Sequence, residues 1–369
     1  LEPRVPARCK ACSCVASMAP SGSVGAPAME VPTISLEPYF AAEAAAGAGC
    51  ADADLSGAEL APALAELVAR VRQACEEVGF FAVVDHGVDA SLLGAQRREC
   101  SAFFARPPQC NIIGMVAGGS SRFTWLDFVP SPGCSDGEGE AGAAFDWSLG
   151  PVAGRGSMPW RPDTEALAAT WLAYYASMGR LVHVLMRIFA LALGLPVNAF
   201  DEALRGHRSA MRAILYPEVP EADLAAGGGE VDRSPEHTDW GCVTVLLADD
   251  RVGGLEIRGK DGAWSPVSPV PGGLLVNLGD LLPFWTEGRW VATPHRVVAR
   301  LGETSLRRVS VPYFGLVNRA TVLAPLLPSE DKGADVRTDV KPLTAGEFFD
   351  QHEKYAAGGV GRTRAGGGA

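Results

Sequence analysis

From Arg212 onward the chain reads as a series of short strands: Cys242-Val243-Thr244-Val245-Leu246-Leu247, Gly254-Leu255-Glu256-Ile257-Arg258, Leu274-Leu275-Val276-Asn277-Leu278 and Arg308-Val309-Ser310-Val311-Pro312-Tyr313-Phe314. Turn signals separate them, and Lys260-Asp261-Gly262 is a tight hairpin turn. Many short strands at close spacing argue for a mainly β fold with flanking helices, built on a double-stranded β-helix (jelly-roll) core.

Upstream of this region the hydrophobic period is helical. Leu60, Leu64, Leu67, Val68, Val71, Cys75 and Val78 recur at helix spacing. Ser56-Gly57-Ala58-Glu59 reads as a capping box before them, and Gly79 as the stop after them. Phe80-Phe81-Ala82-Val83-Val84 follows as a buried strand, and Val31 to Leu36 as a short one. Residues 114–162 are rich in Gly, Ser and Pro, lack periodicity and read as a long loop region. A second helix is expected from about Thr164 to Leu193, with Asp163 as N-cap and Gly194-Leu195-Pro196 as its end. The resulting division is a disordered leader over 1–30, an N-terminal region over 31–160 and helical support over 161–205. The jelly-roll core over 206–320, a C-terminal helical extension over 321–357 and a disordered tail over 358–369 complete it.

The chain has 369 residues, 47% of them hydrophobic, which is enough for a sizeable core and excludes wholesale disorder. A formal charge of −11 with no basic stripe argues against nucleic acid or an anionic membrane as partner. The apolar run Leu181 to Val197 carries His183 and Arg187 and reads as a buried helix, so no membrane span is expected. Nine scattered cysteines suit reduced thiols and a cytoplasmic location. Cys9, Cys12 and Cys14 cluster, but no second Cys/His pair follows to complete a zinc site. Residues 1–28 hold Arg4, Arg8 and Lys10 against the single acid Glu2. They read as an unstructured leader, with organelle import as the weaker alternative.

Within the β region, His237-Thr238-Asp239 places an imidazole and a carboxylate two residues apart, on one face of a strand. His295 follows 58 residues later in Thr293-Pro294-His295-Arg296-Val297, after enough β-segments for a jelly roll to return it beside the first pair. Two His and one carboxylate occupy one face of an octahedron and leave three positions open, which suits non-haem Fe(II) and O2 chemistry. Arg308 and Ser310 share one strand face, where a guanidinium fork and a hydroxyl can grip a carboxylate; the plainer alternative is a solvated strand face.

With these residues in place, the chain resembles the Fe(II)/2-oxoglutarate-dependent dioxygenases of the isopenicillin N synthase-like group, over roughly residues 31–355. The resemblance runs through Gly79-Phe80-Phe81-Ala82-Val83-Val84-Asp85-His86-Gly87-Val88, Tyr216-Pro217, His237-Thr238-Asp239 and Val252-Gly253-Gly254-Leu255-Glu256-Ile257. Asn277-Leu278-Gly279-Asp280, Gly288-Arg289, His295-Arg296-Val297 and Arg308-Val309-Ser310 follow in the family's order. It implies that His237, Asp239 and His295 bind iron. It also implies that Arg308 and Ser310 hold the distal carboxylate of 2-oxoglutarate, with Tyr216 as a further contact. The implied cofactors are Fe(II), 2-oxoglutarate and O2, with ascorbate as a candidate reductant. The implied activity is hydroxylation, desaturation or cyclisation of a small molecule by a monomeric enzyme, with release of succinate and CO2.

The sequence departs from the family pattern at Ile214, where plant members commonly carry Asn, and between His295 and Arg308, where Leu301-Gly302-Glu303-Thr304 reads as a roomy hairpin. Two alternatives stay open: an Fe(II)/O2 oxidase of the same fold that does not use 2-oxoglutarate, and a catalytically dead ligand-binding relative. Among the other histidines, His86 reads as structural, His183 as a satisfied core residue, and His207 and His352 as surface residues. Trp240, Trp285, Tyr313 and Phe314 read as core aromatics rather than a pocket lining. The Gly-rich stretch Ala225 to Glu230 is either a mobile lip or an inert loop.

Overall fold

The structure is a computed structural model that describes residues 31–46, 60–105, 124–128, 165–249, 254–301, 307–326 and 343–357. The leader, the tail, the capping box at Ser56, Asp163 and the Cys9/Cys12/Cys14 cluster lie outside the described residues.

The N-terminal part contains β1 (Thr33–Ser35), α1 (Glu37–Ala45), α2 (Pro62–Glu77), β2 (Phe80–Val84), α3 (Ala90–Phe104) and β3 (Thr124–Phe128). The long helix α4 (Glu165–Ala192) and the single turn α5 (Asp201–Leu204) lead into the β region. There follow β4 (Ala210–Tyr216), α6 (Glu221–Ala226), β5 (Glu230–His237), β6 (Val243–Leu247), β7 (Leu255–Arg258), β8 (Trp264–Pro266) and β9 (Leu274–Leu278). The last elements are α7 (Leu281–Trp285), β10 (His295–Arg300), β11 (Arg308–Gly315), the paired dipeptides Val322–Leu323 and Leu343–Thr344, and α8 (Ala345–Ala357).

The strands form two principal sheets. One has seven strands in the order β1-β2-β9-β6-β11-β4-β3, the other four in the order β5-β10-β7-β8. This is the expected jelly-roll arrangement, as a sandwich rather than a closed barrel. The period of two sorts side chains between two cores. On β2, Phe81 and Val83 join the core beneath the helices, while Phe80 and Ala82 join the smaller core between the sheets. On β9, Leu274, Val276 and Leu278 face the helices and Leu275 faces inward. Both faces are buried, so these strands read as continuous apolar runs.

Helix α4 packs against the outer face of the seven-stranded sheet through Leu181, Leu185, Met186, Ile188 and Phe189, all buried. By length and composition it is also the one described helix capable of crossing a membrane, but its apolar surface is spent on this core. Helix α2 starts at Pro62, whose missing N–H costs nothing at a first-turn position, and its N-cap Ala61 makes no side-chain bond. Its periodic residues Leu64, Leu67, Val68, Val71 and Cys75 are buried as the pattern requires. Gly79 then turns the chain from helix to strand at φ +67°, a left-handed conformation that costs glycine nothing.

Three expectations need correction. The segment 114–162 is not loop throughout: β3 lies within it and pairs antiparallel with β4 at the sheet edge, Asp127 opposite Arg212. Gly302 to Thr304 lie outside the described residues, but the strands on either side are not hairpin partners, since β10 pairs with β5 and β7 whereas β11 pairs with β4 and β6. His183 is not a core residue: its imidazole is 41% exposed, although its Nε2 meets Asp201 Oδ1 at 2.9 Å.

Candidate active site

Strands β5 and β10 pair antiparallel with His237 directly opposite His295, which brings the two imidazole centroids to 4.2 Å. Asp239 lies two residues beyond the end of β5, where the chain leaves the four-stranded sheet for the seven-stranded one. Its Oδ1 sits 4.0 Å from His237 Nε2 and 3.9 Å from His295 Nε2. The three ligand atoms all lie within 4.8 Å of one another.

Their surroundings determine which atoms point at that centre. His237 Nδ1 lies 2.8 Å from the Pro235 carbonyl and His295 Nδ1 3.2 Å from the Thr293 carbonyl. A carbonyl can only accept, so each Nδ1 carries the proton and each Nε2 keeps its lone pair for the centre. Asp239 Oδ2 accepts from Thr244 Oγ1 at 2.6 Å and from Asn277 Nδ2 at 2.7 Å, which leaves Oδ1 turned toward the imidazoles. Phe80 packs edge-on against His295 at 5.4 Å and fixes its ring plane. Two nitrogens and one carboxylate oxygen, oriented this way, fit a non-haem Fe(II) ion.

Asp239 is buried, which pushes its carboxyl up, but His295, His237 and the bonds from Thr244 and Asn277 outweigh that and hold it below the usual carboxylate range. His295 is lowered, first by burial, with the Asp239 charge opposing. Both groups are therefore kept in the form that binds a cation. The turn carrying Asp239 is pinned from behind: Asp280 N–H donates to the Asp239 carbonyl at 2.8 Å. A Cβ on Gly279 would collide with the Gly241 carbonyl, so this close approach requires glycine.

Arg308 opens β11 and pairs in register with Tyr216, and Ser310 pairs with Ile214. All four belong to the inward face of the seven-stranded sheet. Arg308 is buried, donates from Nε to Ser310 Oγ at 3.1 Å, and its guanidinium carbon lies 5.6 Å from the Tyr216 ring centre. Burial lowers its pKa, with Tyr216 and Asp249 opposing. Burial also raises the Tyr216 pKa against the pull of Arg308, Arg233 and Arg212, so the phenol stays neutral. The exposed-face reading of Arg308 and Ser310 is thereby excluded. Ile214 pairs with Ser310 and packs with the inner core, an apolar side chain beside the polar pair.

Sequence reasoning gave no role to Thr244, Asn277 or Arg233, although Asn277 opens one of the motifs that carry the resemblance. The first two are opposite each other on β6 and β9 and are inward-facing polar residues in otherwise apolar strands. That break in an inward apolar row was the available signal. Of the remaining histidines, His86 accepts from Val88 N–H and meets the Gly272 carbonyl at 3.1 Å, a structural role with its pKa lowered by burial. His207 is half-buried and stacks on Tyr175, and the side chain of His352 lies outside the described ones. Trp285 and Tyr313 are core residues as expected, and the chain from Ala225 to Glu230 ends α6 and turns into β5.

Comparison with known proteins agrees with this geometry. Residues 205–316 match the 2OG-Fe(II) oxygenase superfamily, and residues 53–109 match the non-haem dioxygenase in morphine synthesis N-terminal family. The chain is 30% identical over 291 residues to naringenin,2-oxoglutarate 3-dioxygenase of Matthiola incana, covering 77% of this chain and 75% of that one. It is 29% identical over 351 residues to jasmonate-induced oxygenase 2 of Arabidopsis thaliana, covering 92% and 88%. The crystal structure of a dioxygenase for auxin oxidation in rice superposes with a TM-score of 0.63 at 22% identity, over 89% of this chain and 96% of that one.

Proposed function

The chain belongs to the 2-oxoglutarate–Fe(II) oxygenase superfamily, and on that premise we propose that His237, Asp239 and His295 hold its iron while Arg308, Ser310 and Tyr216 hold the distal carboxylate of 2-oxoglutarate. The observation that carries this is the convergence of two imidazole Nε2 atoms on Asp239 Oδ1, at 4.0 and 3.9 Å. Bound together, Fe(II), 2-oxoglutarate and O2 supply the oxidising power for attack on a substrate C–H bond, with succinate and CO2 released.

The protein's own work is orientation. The Pro235 and Thr293 carbonyls set both imidazole tautomers, and Thr244 and Asn277 commit one carboxylate oxygen of Asp239 away from the metal. Arg308 and Ser310 would hold the distal carboxylate of the co-substrate from β11 and so orient it in the site. The inner apolar residues Phe80, Leu255, Ile257 and Val297 limit water between the sheets. The substrate is a small organic molecule that enters on the exposed side of His237, whose imidazole is 42% exposed against 10% for His295.

The test is anaerobic Fe(II) titration followed by a metabolite screen for substrate-stimulated succinate release. Asp239→Ala is expected to bind no Fe(II) at the site and to release no succinate. Near-wild-type turnover by that variant would sink the metal assignment. A cytoplasmic location, for which the scattered thiols speak, and a monomeric state are part of the same proposal. A solution mass well above 38.6 kDa in light scattering would refute the monomer.

A further inference from the structure

A second arginine shares the place where Arg308 lies. Arg233 comes from β5, in the four-stranded sheet, and reaches across the gap between the sheets to Tyr216. Its guanidinium carbon sits 5.2 Å from the Tyr216 ring centre, where that of Arg308 sits 5.6 Å away. Arg233 is 4% exposed and donates from one terminal nitrogen to the Pro217 carbonyl at 2.7 Å. The Tyr216 hydroxyl is in turn hydrogen-bonded to Ser234, the neighbour of Arg233. Two buried cations therefore flank one neutral ring, contributed by opposite sheets.

Two like charges in a poorly solvated space repel and each loses its water shell. Arg233 carries this cost visibly: burial, and then the Arg308 charge, bring its pKa down to about 10. Packing a tyrosine needs no such pair, since an apolar residue on β5 would cover the ring without repulsion. A carboxylate that enters beside Arg308 brings one negative charge within the field of both guanidiniums and relieves their mutual repulsion. 2-Oxoglutarate, a dianion, offers such a carboxylate at its far end; a 2-oxo acid without the second carboxylate does not.

We propose that Arg233 is a second cationic determinant of 2-oxoglutarate binding, acting from β5 across the Tyr216 ring on the carboxylate that Arg308 grips. This rests on the co-substrate site proposed above. Arg308 provides the direct fork, and Arg233 provides the field that makes the pocket select a dianion over a monoanion and aligns the carboxylate between the two sheets.

The experiment measures equilibrium binding by calorimetry to the full chain loaded with Mn(II), which does not turn over. The probes are 2-oxoglutarate and 2-oxopentanoate, which has the same carbon count but no distal carboxylate. Arg233→Gln is expected to weaken 2-oxoglutarate at least about tenfold, the order of a lost charge interaction in a buried pocket. It should leave 2-oxopentanoate and Mn(II) within about twofold of wild type, since uncharged parts of the pocket are untouched. Arg233→Lys, which keeps the charge, should lose less than Arg233→Gln. Equal weakening of both keto acids, or an unchanged 2-oxoglutarate Kd, overturns the proposal and leaves Arg233 as packing for Tyr216. Should Arg233→Gln fail to melt cooperatively, Arg308→Gln decides: Arg233 should preserve a several-fold preference for the dianion, and loss of all preference overturns the idea. Failure of the wild-type protein to bind 2-oxoglutarate at all would instead sink the co-substrate site itself.

Discussion

Asp239 shows how much of this site is decided by atoms that never touch the metal. Its Oδ2 is taken by Thr244 and Asn277, so the carboxylate offers Oδ1 alone. Asn277→Ala removes one of those restraints and lets the carboxylate rotate. Loss of such an outer partner costs on the order of 10–100-fold in metal affinity. Calorimetric Fe(II) titration under anaerobic conditions should show that loss, with the melting temperature only slightly changed; unchanged affinity would mean that Thr244 and the backbone suffice to orient Asp239. Arg308 supports a second prediction. Arg308→Lys replaces a planar fork with a point charge, and the lost charge-assisted bond is worth about 1.5–3 kcal/mol, or roughly 10–100-fold in the KM for 2-oxoglutarate. Fe(II) affinity should hold, because Arg308 is on β11 and the imidazoles are on β5 and β10. A variant with a wild-type KM would remove Arg308 from the co-substrate site. At this scale the residues that could contact ligands were legible, because His237, Asp239, His295, Arg308 and Ser310 are chemically conspicuous at period-two spacing. Thr244, Asn277 and Arg233 were not, because each acquires its role from a register or a cross-sheet contact that spacing along the chain does not encode.

At the scale of the strands, the face of the four-stranded sheet turned away from the site is held by charge. Glu256 on β7 is opposite Arg296 on β10, and Glu230 on β5 is opposite Arg300 at the end of the same strand. Glu256 is buried, accepts from Arg296 Nε at 3.0 Å, and receives both terminal nitrogens of Arg300. Glu230 closes the ladder at 3.1 Å to Arg296 and 2.7 Å to Arg300, while Arg296 stacks on Trp264 with its guanidinium carbon 4.3 Å from the ring centre. Burial pushes the Glu256 carboxyl up, but the Arg300 and Arg296 bonds outweigh it and hold it below its usual range. A carboxyl depressed in the folded state stabilises the protein fully above its unfolded pKa of about 4.3, and that contribution is lost as pH falls through the folded value. Glu256→Gln should therefore cost about 1.5–3 kcal/mol at neutral pH, the range for hydrogen bonds to charged groups. Below about pH 4.3 the gap should shrink progressively as the folded carboxyl protonates, so it is smaller at pH 3 than at neutral pH. Urea unfolding at both pH values measures this; an equal gap at both would show that the charge on Glu256 is not the source. The strands themselves were legible from period and turn residues. What was not legible was pairing: Leu301 to Thr304 looks like a hairpin until β10 and β11 are seen in different sheets. Likewise β3 is five residues in a Gly-rich stretch, and only its partner β4 makes it a strand.

Across the whole molecule, the site is built where the two sheets face each other. His237 and His295 belong to the four-stranded sheet, whereas Asp239 is anchored through Thr244 on β6 and Asn277 on β9, both in the seven-stranded one. A divalent ion held by these residues would tie one sheet to the other, and 2-oxoglutarate held by Arg308 on β11 would add a second tie. Helix α4 packs only on the far side of the larger sheet, so it stiffens one half of the sandwich without fastening the other. Metal should therefore raise global stability rather than merely order a loop. Linkage sets the size: at about a hundred times its Kd a ligand that binds only the folded state adds roughly 2.7 kcal/mol. For a folded unit of this size 1 kcal/mol moves the melting temperature by roughly 2–4 °C, so Mn(II) is expected to raise it by about 5–10 °C. Addition of 2-oxoglutarate should raise it further only when metal is present. Chelation should reverse both shifts, and Asp239→Ala should show neither, whatever its own starting melting temperature. A shift of equal size in Asp239→Ala would place the stabilising ion elsewhere in the molecule, and the two sheets would then be held together by the apolar layer of Phe80, Leu255, Ile257 and Val297 and by the reach of Arg233 to Tyr216 and Pro217.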